Sequence, residues 1–426
     1  MKKYISEHLQ EEYYHEILDN GLNVYLMPKN DYSVSYAILA TKYGSIDNEF
    51  IPYDSDDYVK VPLGIAHFLE HKMFEMPNNI DVNASFAKIG ADVNAYTTYD
   101  HTGYFFSTTR NFAEALELLL DFVQTKGYTK SSISEEMGII EQELLMYMDN
   151  PNVRLQIESL KTMYENNSIR EDIGGTIHSI KEINKELLDL CYENFYHPHN
   201  MCLVIVGKFV LEEVLELIKS NQKNKTYSDI EDIKRKYYVE TNQVFQKNKE
   251  LNMDVSIPKV SINLKLGYEN LTTKEVIKND YALSALMYQE FDITSDFYKK
   301  AELDNIINNS FDYEIVVEDT YGHIIITTDT NYPQEFISMV IDKLKKMAQI
   351  DVSVESFERF KKITEAQILR KMNSVEYFGN MLIESHFHKL EMFESLKIIE
   401  KLNYIDVLNV QKYFKEEAIS VVVITK

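Results

Sequence analysis

Two histidines and a glutamate fall within five residues of GIAHFLEHKMFEMP (Gly64–Pro77), a stretch whose remaining pattern is that of an apolar helix. Positions four apart lie one turn apart on the same helical face, so His67 and His71 point the same way. Their imidazoles can share one metal ion through neutral nitrogens. Zinc suits such a pair, since it takes N and O ligands and leaves a position for water. Glu70, beside them, is within reach of that water, in the reverse order of the better-known H-E-x-x-H arrangement. The structural alternative is a pair of satisfied histidines on a half-buried helix. A third ligand, preferably a carboxylate, must come from elsewhere. The helix expected over Ser131–Asp149 carries an apolar stripe of Ile133, Met137, Ile140, Leu144 and Met148. Glu136 and Glu143 stand two turns apart along its edge, where a carboxylate can reach a site between elements. Periodicity leaves Glu143 as a candidate rather than a choice. Glu135 and Glu141 point further round and are expected to be solvated.

These groups need elements to hold them. GLNVYLMPKN and VSYAILATKYGS read as strands, and the acidic stretch 47–57 as a solvated loop. The helix with the histidines starts after Pro62. NIDVNASFAKIG is a short helix stopped at Gly90, ADVNAYTTYDHTGYFFSTT two strands joined by a turn, AEALELLLDFVQ an amphipathic helix, and MCLVIVGKF a buried strand. The polar, charged residues 223–243 read as a linker. The second half repeats the coarse order, with VSINLKLGY, YALSALMYQEF and GHIIITTDT, and its closing AISVVVITK echoes MCLVIVGKF. The expectation is an α+β protein of two tandem, structurally similar domains, 1–222 and 244–426, with the metal site in the first.

The 426 residues suffice for two domains of ordinary size, and 45% are hydrophobic. A net charge of −24, from 44 basic and 68 acidic residues, argues against nucleic acid and anionic membranes and favours basic or neutral substrates. Cys191 and Cys202 are too few for a disulfide framework and read as buried thiols. MKKYISEHLQEEYYHE lacks the apolar run of a signal peptide, and no stretch approaches 18 consecutive apolar residues. A soluble cytoplasmic protein is expected. Pro198 makes FYHPHN a turn rather than a metal pair, and His386 and His388, two apart on a helix, diverge and read as surface groups.

HFLEH, followed 72 residues later by Glu143 within EEMGIIEQELLMY, resembles the M16 (pitrilysin-like, inverted-zincin) metallopeptidases. VPLGIAHFLEHKMFE, GADVNAYTTYDHTGYFF, DNPNVR and FYHPHNMCLVIVG carry the likeness through the first half, FERFKK and NSVEYFGN through the second. The smaller bacterial and mitochondrial-processing branch is the better match in length, and within it the resemblance is strongest to the YmfH-like bacterial group. The resemblance implies that each domain is a mainly antiparallel sheet covered by helices. It also implies one zinc per chain on His67, His71 and Glu143, Glu70 as general base, and Glu136 supporting the site from behind. Asn94, Ala95 and Tyr96 would lie on the strand against which an extended peptide is laid, with Phe68 as a candidate pocket wall, for which plain core packing is the alternative. The implied activity is that of a zinc endopeptidase acting on small peptides, with maturation of leader or modified peptides among the outcomes it admits. A non-catalytic peptide-binding or structural subunit is the alternative. The sequence departs from the family at one place: the Arg and Tyr seven residues apart that help bind substrate from the second domain are replaced, in FYKKAELDNIINNSF, by Glu302 and by Asn308 or Asn309, and no arginine occurs between Gln243 and Arg359. The chain therefore resembles the zinc-bearing subunit of a heterodimer whose paralogous partner supplies that pair, a homodimer being the lesser reading.

Overall fold

The computed structural model describes residues 1–228, 232–267 and 271–426. In chain order, the first sheet is built from β1 (Lys2–Ser6), β2 (Glu11–Ile17), β3 (Asn23–Pro28), β4 (Ser35–Thr41), β5 (Ala91–Thr97), β6 (Thr102–Thr108) and β7 (Met201–Gly207). The second is built from β8 (Asn248–Asn252), β9 (Lys259–Lys265), β10 (Asp312–Val317), β11 (Gly322–Asp329) and β12 (Ile419–Thr425). The spatial orders are β1-β2-β3-β7-β4-β6-β5 and β8-β12-β9-β11-β10. From β3 onward the first sheet has the connectivity of the second. A first strand pairs in parallel with the last (β3 with β7, β8 with β12), and every other neighbour is antiparallel. The tandem α+β architecture is therefore present, repeated strand for strand despite little sequence identity.

The helices used below are α1 (Ile65–Met73), α2 (Val82–Ile89), α3 (Phe112–Val123), α4 (Lys130–Asp149), α5 (Pro151–Met163), α6 (Lys185–Phe195), α7 (Leu211–Lys223), α8 (Thr273–Phe291), α9 (Asp296–Leu303), α10 (Pro333–Met347), α11 (Val354–Lys371) and α12 (Val375–Phe387). The chain divides into two units, but not at a single linker. Met1–Leu144, Asp172–Lys236 and Lys371–Lys389 form one, and Leu145–Glu171, Tyr237–Arg370 and Leu390–Lys426 the other. Packing explains the departure from contiguous halves. α5 follows the first unit in sequence, yet Ser159 donates to Ser261 of β9 and Thr162 meets the hydroxyl of Ser420, both buried. α12 follows α11, yet Gly379 lies against the ring of Tyr36 in β4, where an added Cβ would approach to 2.5 Å.

The expected linker is also more structured than its composition suggests. Residues 229–231 of it, and Tyr268 of the expected strand after it, lie outside the described residues. Lys234–Arg235 pairs with Phe50 and Ile51. Glu240 accepts from the backbone N–H groups of Glu165, Asn166 and Asn167 and from Lys265 Nζ, 2.8 Å away. The acidic loop needs a similar correction. Asp47 is 2% exposed, accepting from Gly44 N and lying 3.1 Å from Arg235 Nε. Its negative charge is buried because it is paired.

The first unit's core packs Val24 and Leu26 of β3, Ala37 and Leu39 of β4, and Tyr104 and Phe106 of β6 against α1, α2, α3 and α6.

Candidate metal centre

α1 owes its position to the chain before it. Gly64 caps it at φ +85, in the left-handed region, and a Cβ there would fall 2.2 Å from the carbonyl oxygen of Gly174. Only glycine satisfies both conditions. From that start Ile65, Ala66, Phe68, Leu69 and Met73 enter the core, which leaves His67, Glu70 and His71 along the opposite flank. Phe68 is fully buried in that core. It offers a substrate no surface, so its part is packing rather than a pocket wall.

α4 brings the carboxylates. Ile133, Ile140 and Leu144 are buried, whereas Met148, expected in the same stripe, is 45% exposed. The inward face ends near Leu144, where the first unit's share of the helix ends. Glu143 places its two oxygens against the two rings, Oε1 at 3.9 Å from His67 Nε2 and Oε2 at 3.6 Å from His71 Nε2. Among the described residues no other group of three His, Cys, Asp or Glu donors converges in this way. Glu136 lies behind His71, accepting from Nδ1 at 3.0 Å. Glu135 is exposed, and Glu141 pairs with Lys181 at 3.0 Å.

The donor set can be tested against a zinc ion. Bonds of about 2.0–2.1 Å at tetrahedral angles put ligand atoms about 3.3 Å apart. The separations of 3.6 and 3.9 Å are close to that spacing and too long for hydrogen bonds between the groups themselves. The electrostatics agree. Burial, and then the neighbouring His71, push the His67 pKa down to about 4, which keeps its ring neutral, the form a metal requires. Burial works against a charged His71 as well, but the Glu136 hydrogen bond and the charges of Glu70, Glu136 and Glu143 outweigh it and raise its pKa. Glu136 itself is held ionised, its pKa lowered first by the His71 bond. This cluster of anions around one ring favours positive charge at Nε2, whether proton or metal. The residues present fit a zinc ion.

Glu70 is 9% exposed, and burial raises its pKa, partly offset by a hydrogen bond from Thr97 Oγ1 to Oε2 at 2.7 Å. Thr97 was not among the residues singled out from sequence. The available signal was strand alternation: Val93, Ala95 and Thr97 share one face of β5, the face on which Thr97 meets Glu70. Asn94 and Tyr96 project the other way, and Tyr96 Oη meets His101 Nε2 at 3.2 Å. β5 is one of the sheet's two edge strands, paired on one side with β6. Asn94, Ala95 and Tyr96 thus lie at a sheet edge, where Asn94 Oδ1 accepts from the Ala95 N–H at 2.9 Å, with Thr97 next along the strand against Glu70.

Elsewhere, Cys191 and Cys202 are buried free thiols. His197 Nδ1 caps the backbone N–H of His199 in the turn around Pro198, and His199 pairs with Asp232. His386 is not a surface group: it is half-buried against Tyr25, whose Oη lies 3.2 Å from its Nδ1. Glu302 is exposed on α9, and Asn308 donates to the Asp329 carbonyl, holding a turn. No helix among the described residues is long and apolar enough to cross a membrane.

Comparison with known proteins follows the same lines. The family profile described as Insulinase (Peptidase family M16) matches residues 56–177, and the one described as Peptidase M16 inactive domain matches residues 182–364. The first contains the histidine pair and Glu143. The uncharacterized zinc protease YmfH of Bacillus subtilis (strain 168) is 38% identical over 404 residues, 95% of this chain and 94% of its own. The β subunit of the mouse (Mus musculus) mitochondrial-processing peptidase is 30% identical over 161 residues, 37% of this chain and 33% of its own. Among solved structures, an M16-like chain from Alicyclobacillus acidocaldarius superposes with a TM-score of 0.92 at 32% identity, covering 97% of this chain and 98% of its own.

Proposed function

Since this chain belongs to peptidase family M16, we propose that it is a zinc-dependent endopeptidase of small peptides and the zinc-bearing subunit of a heterodimer. The observation that carries the reading is the convergence of His67 Nε2 and His71 Nε2 on the two oxygens of Glu143. In this reading His67, His71 and Glu143 hold one zinc ion per chain. When bound, zinc acidifies water and polarises a carbonyl. Glu70 receives a proton at Oε1, the oxygen that Thr97 leaves free, and returns it to the departing amine. Burial supports that role, because a raised pKa brings a carboxylate nearer to the working pH of a base. Glu136 keeps the His71 ring turned so that Nε2 faces the metal. The peptide lies extended on the free edge of β5, held mainly by backbone bonds, a mode that tolerates varied side chains. The acidic surface favours basic or neutral peptides.

The heterodimer follows from what the second unit lacks. By the resemblance, Glu302 stands where relatives carry the substrate-binding Arg and Asn308 or Asn309 where they carry the Tyr, and a paralogous chain would supply that pair. Maturation of a leader or modified peptide in the cytoplasm fits such a pair. The test compares bound metal, by mass spectrometry, and peptide hydrolysis for the wild type, Glu143→Gln and Glu70→Gln, each with and without the chain encoded next to it. About one zinc per wild-type chain is expected, lost in Glu143→Gln. Glu70→Gln should keep its zinc and lose hydrolysis. A wild type without zinc, or a Glu143→Gln variant that keeps both zinc and activity, refutes the metal reading. Full activity of the chain alone, unchanged by its neighbour, refutes the heterodimer.

A further inference from the structure

The residue after the second histidine is a lysine, and it is buried. Lys72 is 3% exposed on α1, between His71 and the core residue Met73. An ammonium in such a place is unfavourable unless each N–H finds an acceptor, and an apolar side chain of the same length would fill the space without that demand. Three acceptors surround it: the Ser132 carbonyl oxygen at 3.2 Å, Glu75 Oε2 at 2.8 Å and Glu136 Oε2 at 3.5 Å. The other oxygen of Glu136, Oε1, is the one that accepts from His71 Nδ1 at 3.0 Å. Glu136 therefore has a partner at each oxygen, an imidazole hydrogen-bonded to Oε1 and an ammonium at ion-pair distance from Oε2. A carboxylate with a cation at its second oxygen is disfavoured from rotating away from the ring it supports.

We propose that Lys72 is a positioning residue of the metal centre, acting through Glu136 to fix the ring of His71 with Nε2 towards the ion. The line Lys72–Glu136–His71 rests on the zinc reading above but concerns a residue that contributes no ligand. Its signature is dependence in series. Lysine without Glu136, or Glu136 without lysine, leaves His71 equally unsupported.

The experiment is a double-mutant cycle on zinc affinity, read by chelator competition on the metal-free full-length chain. Lys72→Met and Glu136→Gln are each expected to weaken zinc binding by about 10- to 100-fold. The double variant is expected within about threefold of the weaker single variant, because coupled groups are not additive. Glu75→Gln, which leaves the line intact, should stay within about threefold of wild type. Lys72→Gln takes the place of Lys72→Met if thermal melting shows that the latter does not fold. Wild-type affinity in the lysine variant overturns the proposal, as do additive losses in the cycle. A loss in Glu75→Gln equal to that of the lysine variant overturns it too, by giving the lysine to Glu75. A wild type that binds no zinc removes the zinc reading and this proposal together, whereas zinc-binding wild type with an unaffected lysine variant removes this proposal alone.

Discussion

Replacing Thr97 with valine removes one hydroxyl and keeps the shape of the side chain. That hydroxyl donates to Glu70 Oε2 at 2.7 Å. A hydrogen bond to a charged group contributes about 1.5–3 kcal/mol. If it orients the base in the reaction's transition state, its loss lowers kcat by roughly 10- to 150-fold. The hydroxyl's other hydrogen-bond contact is Thr102 Oγ1 at 3.4 Å, which is not a metal ligand, so zinc content should not change and KM should move by less than about twofold. The pH profile should move as well. Glu70 must be ionised to accept a proton, so activity rises with pH through its pKa. Burial raises that pKa and the Thr97 bond lowers it. The valine variant should therefore show its acid limb at higher pH than wild type. Thr97→Ser keeps Oγ and should restore most of the rate and the wild-type limb. The assay is steady-state cleavage of a fluorogenic peptide between pH 5 and 9, with zinc measured on the same samples. A valine variant with wild-type kcat and an unmoved acid limb would refute the reasoning, and so would a serine variant as slow as valine.

Two further outcomes are expected. Gly64→Ala forces a Cβ into left-handed backbone, about 1–2 kcal/mol unfavourable by itself, and towards the Gly174 carbonyl; it should lower Tm and zinc content together, and a variant with wild-type Tm and metal would show that α1 does not depend on this turn. His323 in the second unit is 3% exposed and burial pushes its pKa down to about 3. The folded chain therefore excludes a proton that the unfolded chain takes up below its ordinary value of about 6.5, and stability falls as pH drops through that window. Between pH 7 and 5 the loss from this residue is on the order of 2 kcal/mol. His323→Asn should flatten that fall in urea unfolding, and an equally steep fall in the variant would contradict the assignment.

Much of the fold was legible because short-range patterns governed it. Alternation and apolar runs marked the strands β3, β4, β5, β6, β7, β9, β11 and β12, and Gly90, in left-handed backbone, ends α2 as its position suggested. The acidic loop and the linker depart from expectation because a charged residue need not face solvent. Asp47 and Glu240 are buried by partners far away in the chain, Arg235 for one and Lys265 with three backbone amides for the other. Composition carries no information about such pairing. The unit boundaries misled for a related reason. α5 and α12 each pack on a sheet from the other half of the sequence, and an amphipathic pattern states that a face will be covered without stating by what.

At the candidate site, sequence by itself determined the pair His67 and His71 with Glu70 beside them, because three residues on one helix turn have their relative positions set by helix geometry alone. It narrowed the distant carboxylate to the edge of α4. Only the tertiary structure decided that Glu143 meets both rings while Glu136 stands behind one of them. Glu136 and Glu143 are seven residues apart on one edge, and what separates their roles is how α4 lies across α1. The same holds for Thr97 and Lys72, each set against the centre by packing between elements distant in the chain.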